Sequence, residues 1–236
     1  MKTILERANE RGYGKNGWLT TYYSFSFANY HNPNRMGFGA LRVLNDDVVE
    51  PLHGFEMHPH KNMEVITLPL KGSLHHSDSK GHQEMLRWGQ MQVMSTGAGM
   101  YHSEFNDKSS KVALELIQIW IVPKEMNTPP KYKVWDIYNM LKEDAISVII
   151  SPDGETPISI LQDAWLSIGE FNPETKLNYQ LHKENNGVYI FVLGGELLVE
   201  SFSLGAKDGL GISKVDSFSV EAIKKSSALF IEVPMD

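Results

Sequence analysis

His58-Pro59-His60 and the later stretch His102-Ser103-Glu104 are two short motifs in which metal-binding side chains stand two residues apart. Both lie in strand-like sequence, and side chains at i and i+2 of a β-strand point to the same side. Each motif therefore presents two ligands on one face of its strand. If the two strands are neighbours, three imidazoles and one carboxylate converge. This donor set suits a divalent first-row metal, with coordination positions left for substrate or oxygen.

The composition is that of an ordinary globular chain and narrows the classes of partner. Its 236 residues, 42% hydrophobic and 22% charged, can bury the core of one large β domain or of two domains of usual size. A formal net charge of −7 without a Lys/Arg cluster argues against direct nucleic-acid binding, because such binders usually carry a basic surface. The N-terminus lacks an apolar signal core and no run is long enough to span a membrane, so we expect a cytoplasmic protein.

The distribution of histidine confines a multi-histidine site to the first half of the chain. The chain has no cysteine, so a tightly held metal must rest on His, Asp and Glu. Of nine histidines, only His182 follows His102. His75 and His76 are adjacent, and a strand sends adjacent side chains to opposite faces, so both cannot join one site. We interpret these two, with His53 and His82, as surface or hydrogen-bonding residues.

The order of sequence patterns predicts an all-β chain with two barrels. Short β-branched or aromatic runs alternate with turn residues, and helical periodicity is weak, with 136–143 the best candidate for a helix. Leu70-Lys71-Gly72-Ser73-Leu74 resembles Leu193-Gly194-Gly195-Glu196-Leu197, which suggests a duplicated domain. The segment 123–133 contains three prolines and is the natural linker. We therefore expect a metal-binding barrel at 1–125 and a metal-free barrel at 126–236.

Several stretches resemble one known family. Gly54, His58, His60, Glu64 and Gly72 resemble the first cupin motif, and Gly89, Gly97 and His102 resemble the second. Further stretches resemble the start of pirin-family proteins, in particular the bacterial branch associated with quercetin 2,3-dioxygenase activity. They are Asn9-Glu10-Arg11-Gly12, Gly17-Trp18-Leu19, Phe25-Ser26-Phe27-Ala28-Asn29-Tyr30, Leu41-Arg42-Val43-Leu44-Asn45-Asp46-Asp47 and Gln118-Ile119-Trp120.

The resemblance implies a bicupin, that is, two tandem double-stranded β-helix barrels with one mononuclear metal in the first. The metal ligands it implies are His58, His60, His102 and Glu104, and the implied ion is Fe(II), with Ni, Mn, Co and Zn as alternatives. The implied activity is that of an oxidoreductase, the oxidative ring opening of flavonols by dioxygen. Glu104 is then the candidate base for the flavonol 3-hydroxyl proton.

Other residues receive secondary roles. If the strand continues from His60 without a bulge, Glu64 points into the same barrel, either as an alternative ligand or as a group that orients a ligating imidazole. A salt-bridged or solvated Glu64 is the simpler alternative. Phe27, Met94, Gln118 and Trp120 are candidates for the pocket, although core packing explains them as well.

Two other functions stay open at this stage. The first is a metal-dependent regulatory protein whose Fe(II)/Fe(III) state changes its affinity for a protein partner, as proposed for eukaryotic pirins. The second is a cupin isomerase or small-acid enzyme, which requires charged anchors such as Arg42 or Arg87 in the pocket. A two-barrel chain can cover its own exposed sheet, so a monomer is expected.

Overall fold

The structure is a computed structural model that describes residues 1–107 and 109–235. Within these ranges the chain forms β-strands and two short 3-10 helices, Ala8–Glu10 and Tyr138–Met140, with no α-helix. The helix predicted for 136–143 is therefore wrong: one 3-10 turn forms there, and Leu141 already returns to extended backbone. No helix of the described ranges has the length and hydropathy that a bilayer crossing requires.

The strands follow one another closely along the chain, as the alternation of apolar runs and turns predicts. They are β1 (Lys2–Glu6), β2 (Gly12–Asn16), β3 (Leu19–Tyr23), β4 (Leu41–Val49), β5 (Gly54–His60), β6 (Glu64–Lys71), β7 (Ser73–Asp78), β8 (Gln83–Arg87), β9 (Gln90–Ser95), β10 (Met100–Asn106), β11 (Leu114–Ile121), β12 (Lys131–Asp136), β13 (Ala145–Ile150), β14 (Trp165–Phe171), β15 (Lys176–Gln180), β16 (Asn186–Gly194), β17 (Glu196–Val199), β18 (Phe202–Gly205), β19 (Gly209–Ser213), β20 (Ser217–Ala222) and β21 (Ser226–Pro234).

The strands form two barrels, each built from one large and one small sheet. The first barrel pairs the large sheet β12-β9-β6-β11-β4-β3-β2 with the small sheet β5-β10-β7-β8. The second pairs β1-β19-β16-β21-β14-β13 with β15-β20-β17-β18. The two halves repeat the same strand order, and the matching pentapeptides at Leu70 and Leu193 lie at equivalent β6–β7 and β16–β17 turns. The predicted all-β architecture with two barrels is confirmed.

Two strands cross the expected boundary between residues 125 and 126. β1, from the beginning of the chain, pairs with β19 at the edge of the second barrel, with Lys2 opposite Ser213. β12, which begins inside the predicted linker, pairs with β9 of the first barrel, with Lys131 opposite Ser95. Each barrel thus completes its large sheet with a strand from the other half of the chain. We keep 1–125 and 126–236 as the proposed limits of the two barrels, except that β1 pairs in the second barrel and β12 in the first.

The largest apolar core lies between the two large sheets. It contains Ile66 and Ile119 from the first barrel and Phe191 and Leu229 from the second, all fully buried. Side chains alternate between the faces of a strand, so each large sheet has one face in this core and the other in its own barrel. The apolar runs of β6, β11, β16 and β21 are explained by this burial on both faces.

Glu64 does not have the position that the sequence predicts. Asn62 has a left-handed backbone (φ 53) between β5 and β6, which ends the alternation begun at His60. Glu64 is therefore the first residue of β6, in the large sheet. It lies on the same face of β6 as Ile66 and Leu68, which belong to the inter-barrel core. Its buried carboxylate accepts a hydrogen bond from Ser95 Oγ at 2.6 Å. The role of orienting an imidazole is not retained for Glu64.

Hydrogen bonds fasten β1 to the second barrel. Glu6 is 2% exposed, and its carboxylate accepts a hydrogen bond from the hydroxyl of Tyr189 on β16 at 2.6 Å. The other carboxylate oxygen pairs with the guanidinium of Arg35. A buried charge is stable only where donors and a partner of opposite charge surround it. This cluster therefore couples the N-terminal strand to both halves of the molecule.

Replacing Tyr189 with Phe tests this coupling. Tyr189→Phe removes the donor to a buried carboxylate, so we expect the free energy of unfolding to fall by about 1–3 kcal/mol. Urea denaturation followed by circular dichroism measures the change. Tyr138→Phe, at a tyrosine that is 66% exposed, is the matched control and should stay within about 0.5 kcal/mol of wild type. Equal stability of the two variants would contradict the role of the cluster.

Glu64 gives a pH-dependent prediction. Burial raises the pKa of its carboxyl from 4.5 to about 7, so the folded chain holds this proton more tightly than the unfolded chain. The resulting stability is fully present below pH 4.5 and is lost as the pH rises through about 7. The stability of Glu64→Gln relative to wild type should therefore increase by about 3 kcal/mol between pH 4.5 and pH 8.5.

Urea midpoints of the wild type and the variant across this pH range provide the measurement. Glu125→Gln, at an exposed position in the linker, serves as the control and should follow the wild-type profile. A Glu64→Gln profile parallel to that of wild type would show that this carboxyl does not titrate in the folded interior as described.

Candidate metal centre

Strands β5 and β10 bring three histidines together inside the first barrel. They pair antiparallel, with His102 directly opposite His58 and Met100 opposite His60. The ring centroids lie 4.4 Å apart for His58 and His102, 4.7 Å for His60 and His102, and 4.9 Å for His58 and His60. One ring nitrogen of each residue lies within 4.8 Å of the others. The predicted convergence of the imidazoles is therefore present in the fold.

The environment of these imidazoles fits a bound cation. His60 is 7% exposed and His102 is fully buried. Among the residues that the structure describes, Nε2 of His60 and both ring nitrogens of His102 lack a hydrogen-bond partner. Buried polar atoms are rarely left unpaired, so these nitrogens fit the role of metal ligands. Nδ1 of His58 donates to the main-chain oxygen of Glu56 at 2.7 Å, which leaves Nε2 with its lone pair free to coordinate.

The charge state of the cluster also suits coordination. Burial, followed by repulsion from the neighbouring imidazoles, lowers the pKa of His60 to about 3. The same two causes lower the pKa of His102 to about 3. Both rings are thus neutral at pH 7, and the neutral imidazole is the form that binds metal. The cluster is a metal site of the three-histidine type.

Glu104 lies beside these histidines, held by donors from the opposite sheet. It is 2% exposed, and a register shift in β10 between His102 and Glu104 places it opposite Phe55. Its Oε1 accepts hydrogen bonds from Thr67 Oγ1 at 3.0 Å and Gln92 Nε2 at 3.1 Å. Its Oε2 accepts one from Gln118 Nε2 at 2.8 Å. A carboxylate oxygen of Glu104 lies within 4.8 Å of ring nitrogens of His102 and His76, whereas the group of His58, His60 and His102 forms without it.

The three donors to Glu104 form a row across the large sheet. Thr67 on β6 stands in register with Gln92 on β9 and with Gln118 on β11. Each is a buried polar residue with an apolar neighbour on either side in its strand. This pattern is readable in the sequence, because an isolated amide or hydroxyl in a fully buried strand needs a partner. Sequence reasoning considered only Gln118 for the site and missed the other two.

The residues predicted for the pocket lie in different surroundings. The indole N–H of Trp120 donates to Gln118 Oε1 at 3.0 Å, and its ring contacts His60 edge-on at 4.7 Å between centroids. Phe27 contacts Trp120 in turn, at 5.1 Å. Met94 is fully buried in a small apolar cluster with Val65 and Met100, against which Trp120 packs. The structure thus brings Phe27, Gln118 and Trp120 into one contact chain beside His60, with Met94 behind it; their role in a substrate pocket stays a prediction.

His76 is buried rather than exposed, and it is hydrogen-bonded. Of His75 and His76 only one faces inward, as alternation along the strand requires, and that residue is His76, which is 1% exposed and whose Nε2 lies 3.4 Å from Asp78 Oδ2. Its ring stacks on Tyr132 at 4.6 Å, and His82 stacks on the same tyrosine at 4.6 Å. Asp78, two residues later, is also buried and accepts a hydrogen bond from His82 Nδ1 at 2.7 Å. Tyr132 lies on the exchanged strand β12.

The second barrel has a different interior. A packed apolar cluster that includes Tyr179, Phe218 and Phe230 fills it, with near-parallel stacking of these rings. His182, the one histidine of this half, stacks on Trp165 and donates from Nδ1 to Glu232 at 2.8 Å. Its partner is therefore a buried carboxylate rather than a second imidazole.

Comparison with known proteins finds a matching family profile for each half of the chain. The family profile described as Pirin matches residues 6–121, and the profile described as Quercetinase C-terminal cupin domain matches residues 148–233. The chain is 38% identical to the quercetin 2,3-dioxygenase of Escherichia coli K12 over 234 residues, 98% of each chain. It is 35% identical to a putative quercetin 2,3-dioxygenase of Zymomonas mobilis over 225 residues, 93% of each chain.

A solved structure agrees with this assignment. The bacterial pirin YhhW from Escherichia coli, in complex with nickel(II), superposes over 100% of both chains with a TM-score of 0.93 at 36% identity. The predicted family resemblance is confirmed over the full length, including the two cupin domains. The chain belongs to the pirin family.

Proposed function

We propose that this protein is a metal-dependent dioxygenase that opens the heterocyclic ring of flavonols, as a quercetin 2,3-dioxygenase does. The observation that carries the proposal is the convergence of His58, His60 and His102, with unpartnered nitrogens, in the interior of the first barrel. Full-length similarity to proteins named quercetin 2,3-dioxygenase supports the substrate class. Within this proposal the substrates are a polyphenol and dioxygen.

We propose His58, His60, His102 and Glu104 as the ligands of one ion. Three imidazoles and one carboxylate form a borderline donor set, which binds several divalent first-row metals. Fe(II) is the proposed physiological ion because the reaction uses dioxygen, and the nickel complex of the E. coli relative shows that a pirin of this type also accepts another metal. When bound, the ion supplies Lewis acidity and a template that aligns the substrate oxygens with dioxygen.

Glu104 is proposed as both a ligand and the acceptor of the 3-hydroxyl proton. It is the anionic member of the set, and its reach to the substrate depends on the bonds that hold it. Hydrogen bonds from Thr67, Gln92 and Gln118 stabilise its negative charge and orient both oxygens. Oε2 accepts one hydrogen bond, which leaves one lone pair for either the ion or the proton. Glu104 would therefore have to dissociate partly from the ion to take the proton, while Gln118, which accepts a hydrogen bond from the indole N–H of Trp120, holds Oε2 in place.

Metal content tests the ligand set. His58→Ala removes one imidazole, so we expect the affinity for Fe(II), Ni(II) or Co(II) to fall by at least about tenfold, since changes to groups that only support ligands already cost 10–100-fold. Elemental analysis after dialysis against a competing chelator measures retention. The control is His75→Ala, at an exposed histidine on β7, which should retain metal like wild type. Unchanged retention in His58→Ala would exclude this ligand set.

Turnover tests the reaction. Iron-loaded protein should consume quercetin and oxygen in air, and Glu104→Gln should lower kcat/KM by about 10²–10⁴ through loss of both the anionic ligand and the proton acceptor. Absorbance of the flavonol and an oxygen electrode follow the reaction together. Glu221→Gln, on β20 of the second barrel, should retain wild-type kinetics.

Two outcomes would count against this proposal. Turnover that persists unchanged in both His58→Ala and Glu104→Gln would place the activity elsewhere. A wild-type protein that retains its metal but consumes no flavonol would favour the alternative, a metal-dependent binding protein regulated by the oxidation state of its ion. A pull-down that differs between the reduced and oxidised protein would then identify the partner.

A further inference from the structure

A cavity of about 500 Å³ opens beside the N-terminal half of β5. Its volume lies within the range of pockets that hold small organic ligands. His58 is one of its lining residues, so the cavity adjoins one of the proposed metal ligands. None of the other residues that line it belongs to the metal site or to the predicted pocket. We call it the Trp18 slot; its principal lining residues are Trp18, His53, Phe55, Glu56, Met57 and His58.

The wall of the slot is a continuous aromatic surface. Trp18 follows Gly17, whose left-handed backbone (φ 53) makes the tight turn between β2 and β3. The indole lies parallel to the ring of His53, with 9° between the planes and 6.1 Å between centroids. It contacts Phe55 edge-on at 5.3 Å, and Phe55 lies 6.3 Å from the ring of His58. The surface therefore leads from the turn at Gly17 to a proposed metal ligand.

The rigidity of this wall suits a flat ligand. Phe55 packs into the core of the first barrel with Leu74 and Leu116, and Trp18 packs against the same cluster. Both rings are therefore fixed by burial on one side while they line the cavity on the other. Flat apolar walls with few rotatable bonds bind planar aromatic rings by offset stacking and edge-to-face contact.

A polar side chain that lines the Trp18 slot indicates which kind of ligand the slot can bind. Glu56 is exposed and lines the cavity, and its main-chain oxygen is fixed by His58 Nδ1. A carboxylate accepts hydrogen bonds and donates none at neutral pH. The slot thus combines an aromatic wall with an anionic acceptor, a combination that matches a phenol ring with free hydroxyl donors.

A flavonol such as quercetin has two phenol rings with free hydroxyls. The oxygens at its positions 3 and 4 are the natural pair for a metal, and the 5-hydroxyl of the fused ring bonds internally to the 4-carbonyl, which leaves that ring one free hydroxyl at position 7. The pendant catechol ring has two adjacent free hydroxyls, which can both donate to one carboxylate. We propose that the Trp18 slot is the subsite for this pendant ring, with Trp18 and Phe55 as its wall and Glu56 as the acceptor for its hydroxyls; this inference rests on the proposed function.

Binding without turnover tests the subsite separately from the reaction. Nickel-loaded protein is titrated under argon with quercetin and with galangin, which has the same fused rings but an unsubstituted pendant ring, and calorimetry gives the two dissociation constants. Wild type should bind quercetin about tenfold more tightly than galangin. Glu56→Gln should weaken quercetin about tenfold and leave galangin unchanged, because a hydrogen bond to a charged acceptor is lost. Trp18→Ala should weaken both flavonols about tenfold, and Trp18→Phe by less.

Matched controls separate the slot from general effects. Trp135→Ala, at a tryptophan 37% exposed on β12, and Glu221→Gln should bind both flavonols as wild type does. Circular dichroism and nickel content verify that each variant is folded and loaded. Tight flavonol binding that is indifferent to Trp18 and Glu56 overturns the slot but leaves the proposed function standing. Slot-dependent binding without any turnover in air supports the slot and rejects the dioxygenase. Absence of flavonol binding to wild type overturns both.

Discussion

The register between β5 and β10 is the constraint on which the site depends. Because His102 stands directly opposite His58, the two motifs place their side chains on the same face of the small sheet. A slip of one residue would turn one motif to the outer face and separate the imidazoles. The register shift after His102 then moves Glu104 opposite Phe55, toward the polar row of the large sheet. One pairing therefore determines the positions of three nitrogens and a carboxylate.

The row of Gln92, Thr67 and Gln118 explains how a buried negative charge is tolerated. A carboxylate that loses its water must regain donors within the fold. Here three neighbouring strands of the large sheet each provide one. The small sheet thus carries the coordinating groups, and the large sheet supplies the hydrogen-bond donors that replace the lost hydration of Glu104. The two sheets of the first barrel form a single functional unit for this reason.

The sequence predicted what depends on local periodicity. Alternation places His58 with His60 and His102 with Glu104 on common faces, and it also requires that one of His75 and His76 point inward. It could not indicate which one, because that depends on the sheet against which β7 lies. Glu64 was assigned to the wrong face since a single left-handed residue, Asn62, ends one strand and starts another in a different sheet. A backbone angle of this kind leaves no trace in the spacing of side chains.

Long-range exchange of strands was equally invisible to local patterns. Neither β1 nor β12 is predicted as a strand from the sequence, and the first half of β12 falls in the predicted linker 123–133. Nothing in the spacing of their residues indicates a partner strand in the opposite half. Apolar periodicity reports which face of a strand is buried, not which barrel buries it. In the sequence the two halves meet at the linker. The hydrogen-bonded sheets do not divide there, because β1 and β12 each pair with a strand of the other half.

This exchange has a consequence for how the molecule is made on the ribosome. β1 leaves the exit tunnel long before β19, so its edge stays unpaired until β19 has been made. The first barrel can close its large sheet only once β12 has emerged, and with β12 comes Tyr132, the ring on which His76 rests. Domains of a nascent chain usually fold one after the other. Here neither half completes its hydrogen bonding alone, so the large sheet of the second barrel is complete only after β19 has emerged.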